Sequence, residues 1–600
     1  MCGFLGLVGS NKVSEHNIKD ANKYIECRGP DEKVYKNLTD TKFNFKNRDF
    51  QNLQIFNRLS IIDLSNLGSQ PMFSDDNLTS ILFNGEVFNH KELRAEMEKD
   101  GLVFNSNNSD TEVLLLGISK YGKDFINRVI GQFSIVFFDY EKDIILLIRD
   151  RLGQKPLFYS VEDKSLVFAS NLKSIASLTE NNRINQESIS EYLNIGVVTS
   201  PNTIFENIYK VQPAEIIEFQ ISDVISEKSK TRYWRIEKFV DNKEFDREHF
   251  IKLLSDSVRI RNIADVPVAC FLSGGIDSST IVKLLTESGE SANTFSISYE
   301  DPKYDEKKWF ELVKEKYKTN HTTEEVRKAI DIEEIMESIK IFDEPYSDPS
   351  NFPSYIISKK ISEKYKAAIS GDGGDELVGG YKRVNKILNR KKRLNFLRYL
   401  YKIYPNFLGT GNIFLRNSSS ASEAYNSFFW DKKFLSMLGI KDYTPNDYYK
   451  NISKDIYKSL IISDYKLYLS EMMTLKVDRT SMANSLEVRS PFIDHRLIEY
   501  VLSTKPSYVD YGKTKKIFKD YLSEDFDNDF INREKMGFVF NLEDWIYSNK
   551  ETVFSELKNG KLSKIIKVDR INLLLLNKSR INANRLWKLY LLEKYLSFAD

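Results

Sequence analysis

The sequence predicts more than one domain, the later part an α/β layer that runs on into helix. Three observations carry this. Six hundred residues exceed what one hydrophobic core organises. From Phe250 onward, long helical segments alternate with short apolar runs such as 266–272 and 367–369, the pattern of strands joined by helices. Between the two parts, residues 236–245 turn polar and read as a connector.

Taken in order, residues 4–8 form an apolar strand directly after Cys2. A helix-like stretch then ends in the turn Cys27-Arg28-Gly29-Pro30-Asp31. Arg58-Leu59-Ser60-Ile61-Ile62-Asp63 reads as a strand opening on an arginine, and Phe83-Asn84-Gly85-Glu86-Val87-Phe88-Asn89 as strand, tight turn, strand. Ser109-Asp110-Thr111-Glu112 precedes an apolar helix with Ser or Asp placed as its N-cap. Residues 184–198 look helical until Ser200-Pro201-Asn202-Thr203 breaks them, and 205–235 carry strand-like pieces. The run 266–272 is a strand, Ser273-Gly274-Gly275-Ile276-Asp277-Ser278-Ser279 a turn, and helical spacing resumes at Thr280. Residues 367–370 make a short strand ahead of the glycine-rich segment 371–381, which fits a loop wrapped on phosphate and metal. Residues 417–422 read as a surface loop, and the basic stretch 386–402 as a solvated helical face whose rival reading is a surface for an anionic nucleotide-sugar or a membrane.

Chemistry starts at Cys2. Removal of Met1 leaves its thiol beside a free α-amine, which titrates near ~7.7–8.0 and can act as general base. One residue then supplies nucleophile and base. Position alone leaves Cys2 an ordinary small residue before a strand. The segments just quoted, with Arg149-Asp150-Arg151-Leu152-Gly153-Gln154-Lys155-Pro156, weigh the other way. In order and spacing they resemble the glutaminase domain of class II glutamine amidotransferases, in the N-terminal-nucleophile hydrolase superfamily. The resemblance implies an α+β sandwich of αββα layers. It also implies roles. Cys2 attacks glutamine, Arg58 pairs with its α-carboxylate, and Asp110 holds its α-ammonium. Asn84 and the Gly85 amide form the oxyanion hole, and Glu86 orients substrate or loop. Cys27 and Asn57 stand where members commonly carry His, which bears on glutaminase efficiency.

The turn 273–279 places backbone amides at a helix start, where an anion is favoured, and it lacks the Walker Gly-Lys-Ser/Thr. It resembles the pyrophosphate loop of ATP pyrophosphatases. With 371–381, Ser485-Leu486-Glu487-Val488-Arg489-Ser490-Pro491-Phe492, Gly512-Lys513-Thr514-Lys515 and Lys535-Met536-Gly537-Phe538, it resembles the synthetase domain of glutamine-hydrolysing asparagine synthetases. That implies an α/β ATP-pyrophosphatase-type domain with a helix-rich C-terminal part. The division becomes 1–212 glutaminase, 213–245 connector and 246–600 synthetase. Ser273, Gly275, Asp277 and Ser278 would contact ATP phosphates, and Leu272, Ile297, Ser370 and Gly371 would border the adenosine. Asp277 and Asp375 would hold Mg2+. Lys515 would neutralise the adenylation transition state, with Lys513 as rival. Asp372 stands where several members carry a Glu thought to act as base in ammonia attack.

Together the halves imply that ATP, glutamine and an acid give AMP, pyrophosphate, glutamate and an amide. Aspartate is the default acceptor, and a sugar uronate or other cell-surface precursor the alternative, since Asp343-Glu344-Pro345 resembles a branch that includes both. A glutaminase with a regulatory nucleotide module, or a non-catalytic interaction protein, is the reading from another class. The intact Cys2, Arg58, Asp110, Asp277, Asp375 and Lys515 argue against both. A formal charge of +1 gives no general attraction for nucleic acid. Three cysteines make no disulfide framework and suit a cytoplasmic protein, and no run approaches ~18 apolar residues, so no membrane span is expected. Oligomeric state is open, a homodimer included.

Overall fold

Three sheets organise the chain in a computed structural model. It describes residues 2–10, 13–39, 45, 50–162, 164–290, 292–299, 305–326, 332–389, 396–417, 420–443, 455–507, 514–533 and 541–598. The first sheet runs β10 (Tyr209–Lys210), β8 (Phe158–Glu162), β9 (Ser165–Ala169), β1 (Gly3–Gly9), β3 (Gln51–Arg58), β2 (Glu32–Asn37). The second runs β12 (Ile225–Arg232), β11 (Glu215–Ile221), β7 (Ile144–Arg149), β6 (Gly131–Asp139), β5 (Thr79–Val87), β4 (Met72–Phe73). Both are antiparallel throughout.

Alternation along β1 sets the layers. Leu5 and Leu7 pack with Ile18, Ala21 and Ile25 of the helix Glu15–Glu26. Phe4 and Val8 face the other way, into a core with Leu82, Val136, Phe138 and Phe219 of the second sheet. Ile81, Phe83 and Ile135 on that sheet's far face share a core with Val113, Leu114 and Ile118 of the helix Asp110–Tyr121. Helix, sheet, sheet and helix stack as an αββα sandwich, as the resemblance implies. Both faces of β1 are covered, so every residue of it is buried.

Within the first two sheets three readings change. β5 runs unbroken from Thr79 to Val87, so Asn84-Gly85 is strand and not a turn. β3 closes on Arg58 instead of opening there, because its pairing with β1 ends at Asn57 opposite Gly3. β11 and β12 fall inside 213–245, the stretch read as connector. β11 pairs with β7 from Ile216–Ile148 to Gln220–Ile144 and buries Ile216, Ile217 and Phe219. β12 is a largely exposed, polar edge strand, a composition that blunts edge pairing and hides the strand from an apolar pattern.

The third sheet is parallel, in the order β15 (Asn320–Val326), β14 (Asn293–Tyr299), β13 (Val268–Phe271), β16 (Ala367–Ile369), β17 (Glu487–Arg489). One face shares a core with the helices Arg247–Arg261 and Ile276–Glu287, the other with Asn351–Ser362. The chain adds β14 and β15 on one side of β13, then crosses to add β16 and β17 on the other. Open parallel sheets bind ligands outside the strands' carboxyl ends at such a reversal. A helix-rich part follows, and its last helix, Arg580–Phe598, returns to share a core with Ile189 and Leu193 of the first domain. The segment 371–381 contains the helix Gly374–Val378. The helix Ala421–Asn426 begins inside the stretch read as a loop, with Ser420 as its cap.

Candidate active site

Cys2, Arg58, Gly85, Glu86 and Asp110 line one narrow cavity of about 30 Å³, together with Leu59, Gln70 and Thr111. The backbone N–H of Cys2 donates to Asn84 Oδ1 at 3.1 Å, which sets the last of the expected glutaminase residues beside Cys2. Gly85 has φ +154°, and a Cβ there would lie 2.0 Å from the Gln132 carbonyl oxygen of β6. Only glycine lets β5 keep its pairing with that peptide orientation. Burial pushes the Cys2 thiol up, while the chain's amino terminus and Arg58 pull it down. The Arg58 guanidinium donates to the carbonyls of Asp63 and, at 2.8 Å, Ser65, so the loop after β3 closes over it. Asp110 opens its helix behind the N-cap Ser109 and accepts from the Val87 N–H at 3.1 Å. Burial raises the pKa of both Asp110 and Glu86, the latter strongly even with an arginine beside it. Two buried carboxyls of that kind suit a ligand that brings its own positive charge.

That arginine belongs to the other domain. Arg489 of β17, fully buried, donates through Nη2 to Glu86 Oε2 at 3.0 Å and through Nε to Glu487 Oε1 at 2.6 Å. Its Nη1 donates to the carbonyls of Arg261 and Ile263. Burial works against the Glu487 charge, but the amino terminus and Arg489 overcome it and bring that carboxyl down to about 2. A second tie starts from Arg28. Its Nε donates to the Cys2 carbonyl at 3.1 Å, and its two Nη groups grip Asp478 at 2.8 and 2.9 Å. Asp478 accepts as well from Arg479, which forks onto Asp343, and Asp343 accepts from the Leu172 N–H. Leu59, Ile61, Ala367 and Met482 add an apolar cluster at the same junction. None of Arg28, Asp478, Arg479 or Arg489 was singled out by sequence reasoning. The only signal was that Arg28 and Arg489 sit inside quoted motifs.

On the synthetase side, the turn after β13 meets the loop after β16. Gly275 N–H donates to Ser273 Oγ at 3.1 Å, and Ser278 Oγ to the Gly275 carbonyl at 3.2 Å. No side chain caps the helix Ile276–Glu287, so its first N–H groups face that turn. Leu272 donates from its backbone to Phe295, and both Leu272 and Ile297 are buried near the carboxyl ends of β13 and β14. Lys515 is buried between two carboxylates, its Nζ against Asp277 and 2.9 Å from Asp375 Oδ1. Burial opposes its charge, yet those two acids hold it protonated well above the ordinary lysine range. A Cβ on Gly380 would lie 1.9 Å from Asp375 Oδ1 and 2.6 Å from Lys515 Cε, which explains one of the loop's glycines by close packing. The Asp277 and Asp375 carboxylates are hard oxygen donors of the kind Mg2+ takes alongside phosphates, and so fit that ion. No group of three or more potential ligands occurs among the described residues. Asp372 accepts from Ser370 Oγ at 2.8 Å. Lys513 and residues 535–538 lie outside the described residues, so Lys515 is the lysine whose surroundings are known.

β17 joins the two sites. While the Arg489 side chain reaches Glu86, its carbonyl accepts from the Ser370 N–H at 2.9 Å, and Ser490 Oγ donates to the Asp372 carbonyl. Asn57 directs its amide to Asn22 Oδ1, and Cys27 offers its carbonyl to Ser485 Oγ.

Comparison with known proteins also parts the chain in two. The family model for asparagine synthase matches residues 249–597, and that for a glutamine amidotransferase domain matches residues 1–234. The chain is 31% identical to glutamine-hydrolysing asparagine synthetase 1 of Bacillus subtilis (strain 168), over 91% of this chain and 88% of that protein. It is 28% identical to glutamine-hydrolysing asparagine synthetase 2 of the same organism, over 94% of this chain and 75% of that protein. Among solved structures, a glutamine phosphoribosylpyrophosphate amidotransferase from B. subtilis aligns with 45% of this chain and 60% of its own, at 14% identity and a TM-score of 0.29.

Proposed function

Because the chain belongs to the asparagine synthase family, we propose that its ATP-dependent amidotransferase reaction converts aspartate to asparagine. The observation that supports the reading is β17, whose Arg489 side chain reaches Glu86 in the Cys2 cavity while its backbone meets Ser370 in the loop after β16.

In this reading the free amine of Cys2, once Met1 is removed, takes the thiol proton. The sulfur attacks the glutamine carboxamide, and Asn84 with the Gly85 amide stabilises the oxyanion. Ammonia leaves, and water releases glutamate from the thioester. Arg58 binds the α-carboxylate and Asp110 the α-ammonium, while Glu86 is positioned by Arg489. In the second site the β-carboxylate of aspartate attacks the α-phosphorus of ATP, and pyrophosphate leaves. Ser273, Gly275 and Ser278 hold the phosphates, and Lys515 offsets the charge that builds there. Leu272, Ile297, Ser370 and Gly371 border the adenosine. Asp277 and Asp375 would hold Mg2+, which when bound supplies further neutralisation of the pyrophosphate. Ammonia then attacks the acyl-adenylate, AMP departs, and Asp372 accepts the extra proton. The apolar cluster at the junction supports delivery of ammonia without bulk water, in which it would become ammonium. The domain division that goes with this reading sets the glutaminase at 1–234, since β11 and β12 complete its second sheet.

Pyrophosphate release with glutamine and Mg·ATP, measured over a panel of acids, tests the proposal. Aspartate should give asparagine and pyrophosphate in equal amounts. If a nucleotide-linked uronate releases pyrophosphate and aspartate does not, the acceptor is wrong and the mechanism stands.

A further inference from the structure

Between Glu376 and Glu423 the sequence has ten Lys or Arg and no Asp or Glu, in a chain whose formal net charge is only +1. The described part of that segment is also unusually apolar on its outside. The helix Leu397–Ile403 buries none of its residues. Tyr399 is 69% exposed, Ile403 76% and Ile413 62%, and Phe396, Phe407 and Leu408 are exposed beside them. Scattered single apolar side chains need no explanation, but a cluster on one short stretch does.

The cluster is not a loose flap. Arg585, buried and forked onto Asp431, donates to the carbonyls of Asn406 at 2.9 Å and Gly409 at 3.1 Å. Asn412 donates to the carbonyls of Ser427 and Trp430, and Lys433 to that of Lys402. The backbone is therefore pinned from below while the apolar side chains point to solvent. Lys402 lies over the Tyr399 ring and is exposed with it, and Lys382 and Lys386 are exposed on the preceding helix Lys382–Leu388, while Arg383 and Arg398 pair with Asp464 and Glu423.

We propose that this face attaches the enzyme to an anionic phospholipid surface. Exposed aromatic and aliphatic side chains beside lysines are what an interfacial attachment requires: the apolar groups enter the headgroup boundary and the cations meet the lipid charge. A nucleic acid would use the lysines but gain little from Ile403, Leu408 and Ile413. A second copy on a two-fold axis would bring the same positive field against itself. The attachment is peripheral, since no helix among the described residues is long and apolar enough to cross a membrane. It is independent of which acid is amidated.

Vesicle sedimentation of the full chain tests this, with phosphatidylcholine vesicles carrying roughly 30% phosphatidylglycerol against phosphatidylcholine alone. The wild type should bind the anionic vesicles at least about tenfold better and lose binding as salt rises. The triple variant Tyr399→Ser, Ile403→Ser, Ile413→Ser and the double variant Lys386→Glu, Lys402→Glu should each weaken binding about tenfold or more. Ammonium-dependent pyrophosphate release in solution should stay at the wild-type level in both, which shows that they fold. Absence of sedimentation with anionic vesicles overturns the proposal, as does full binding by the triple variant. Self-association abolished by the triple variant, with no vesicle binding, reassigns the face to a second copy. Tight retention on single-stranded RNA, insensitive to the triple variant and without vesicle binding, reassigns it to nucleic acid.

Discussion

Asp478→Asn is the most informative perturbation of the domain junction. The side chain is 2% exposed and takes both Nη groups of Arg28, at 2.8 and 2.9 Å, while Arg479 Nη1 donates to it at 2.7 Å. The variant keeps the shape, removes the charge, and turns one oxygen into a donor facing a donor. Arg28 is itself only 3% exposed and has no other carboxylate partner among the described residues. Stripping one partner from a buried pair costs about 3–5 kcal/mol. Arg479 still holds Asp343, so the lower end, about 3 kcal/mol, is expected. Arg28 also donates to the Cys2 carbonyl, so the loss falls where Cys2 is held against the second domain. If that energy is what keeps the domains in register, coupling should fall by up to about a hundredfold. The assay is the ratio of amide formed to glutamate released, beside ammonium-dependent pyrophosphate release and a urea unfolding curve. The ratio should drop well below the wild-type value, with the ammonium-dependent rate within about twofold. An unchanged ratio, together with less than about 1 kcal/mol lost, would refute the reasoning.

Cys2→Ala should remove glutamine-dependent synthesis, at least about a thousandfold, and leave ammonium-dependent synthesis intact, since in the proposed mechanism only the first site loses its nucleophile. Gly380→Ala should do the reverse, because its Cβ would strike Asp375 Oδ1 and Lys515 Cε; glutaminase activity should persist while pyrophosphate release is lost. Burial, with Asp375 beside it, raises the Glu376 carboxyl from 4.5 to about 7, so the folded state holds that proton longer than the unfolded chain. Its stabilising share is complete below about pH 4.5 and is lost as pH rises through 7. Glu376→Gln should therefore gain stability relative to wild type between pH 5 and pH 8, by at most about 3 kcal/mol, in urea unfolding at the two pH values. A gap that does not change with pH would count against the assignment.

Local chemistry was legible in the sequence wherever it depends on neighbours in the chain. Ser273 to Ser279 could be read as a turn between strand and helix because its small residues follow an apolar run; the turn is there, but it ends at Gly275, and Ile276 to Ser279 already belong to the helix. Ser109 could be read as an N-cap, and it accepts from the Glu112 N–H. Gly85 misled because glycine ordinarily marks a turn. Here it serves a close approach to β6, which no local pattern reports. β12 was lost in a polar connector because an edge strand needs few apolar residues. The junction was invisible for a different reason. Arg28 and Asp478, or Glu86 and Arg489, meet only after two separate domains have folded, and neither pair leaves a periodicity in the chain.

The Arg28–Asp478 pair spans 450 positions, and that separation has a consequence during synthesis. At ribosomal rates, roughly 20 to 90 s pass between the emergence of the two residues. All strands of the first two sheets lie before residue 233 and can assemble in that interval. The third sheet cannot close until β17 has emerged, and Glu86 and Arg28 wait as long for their arginine and aspartate. A nascent glutaminase domain is thus left for tens of seconds with unmatched charges along the surface that later meets its partner. Stalled or truncated chains ending before residue 478 should be the ones that a holdase finds and that proteases clear.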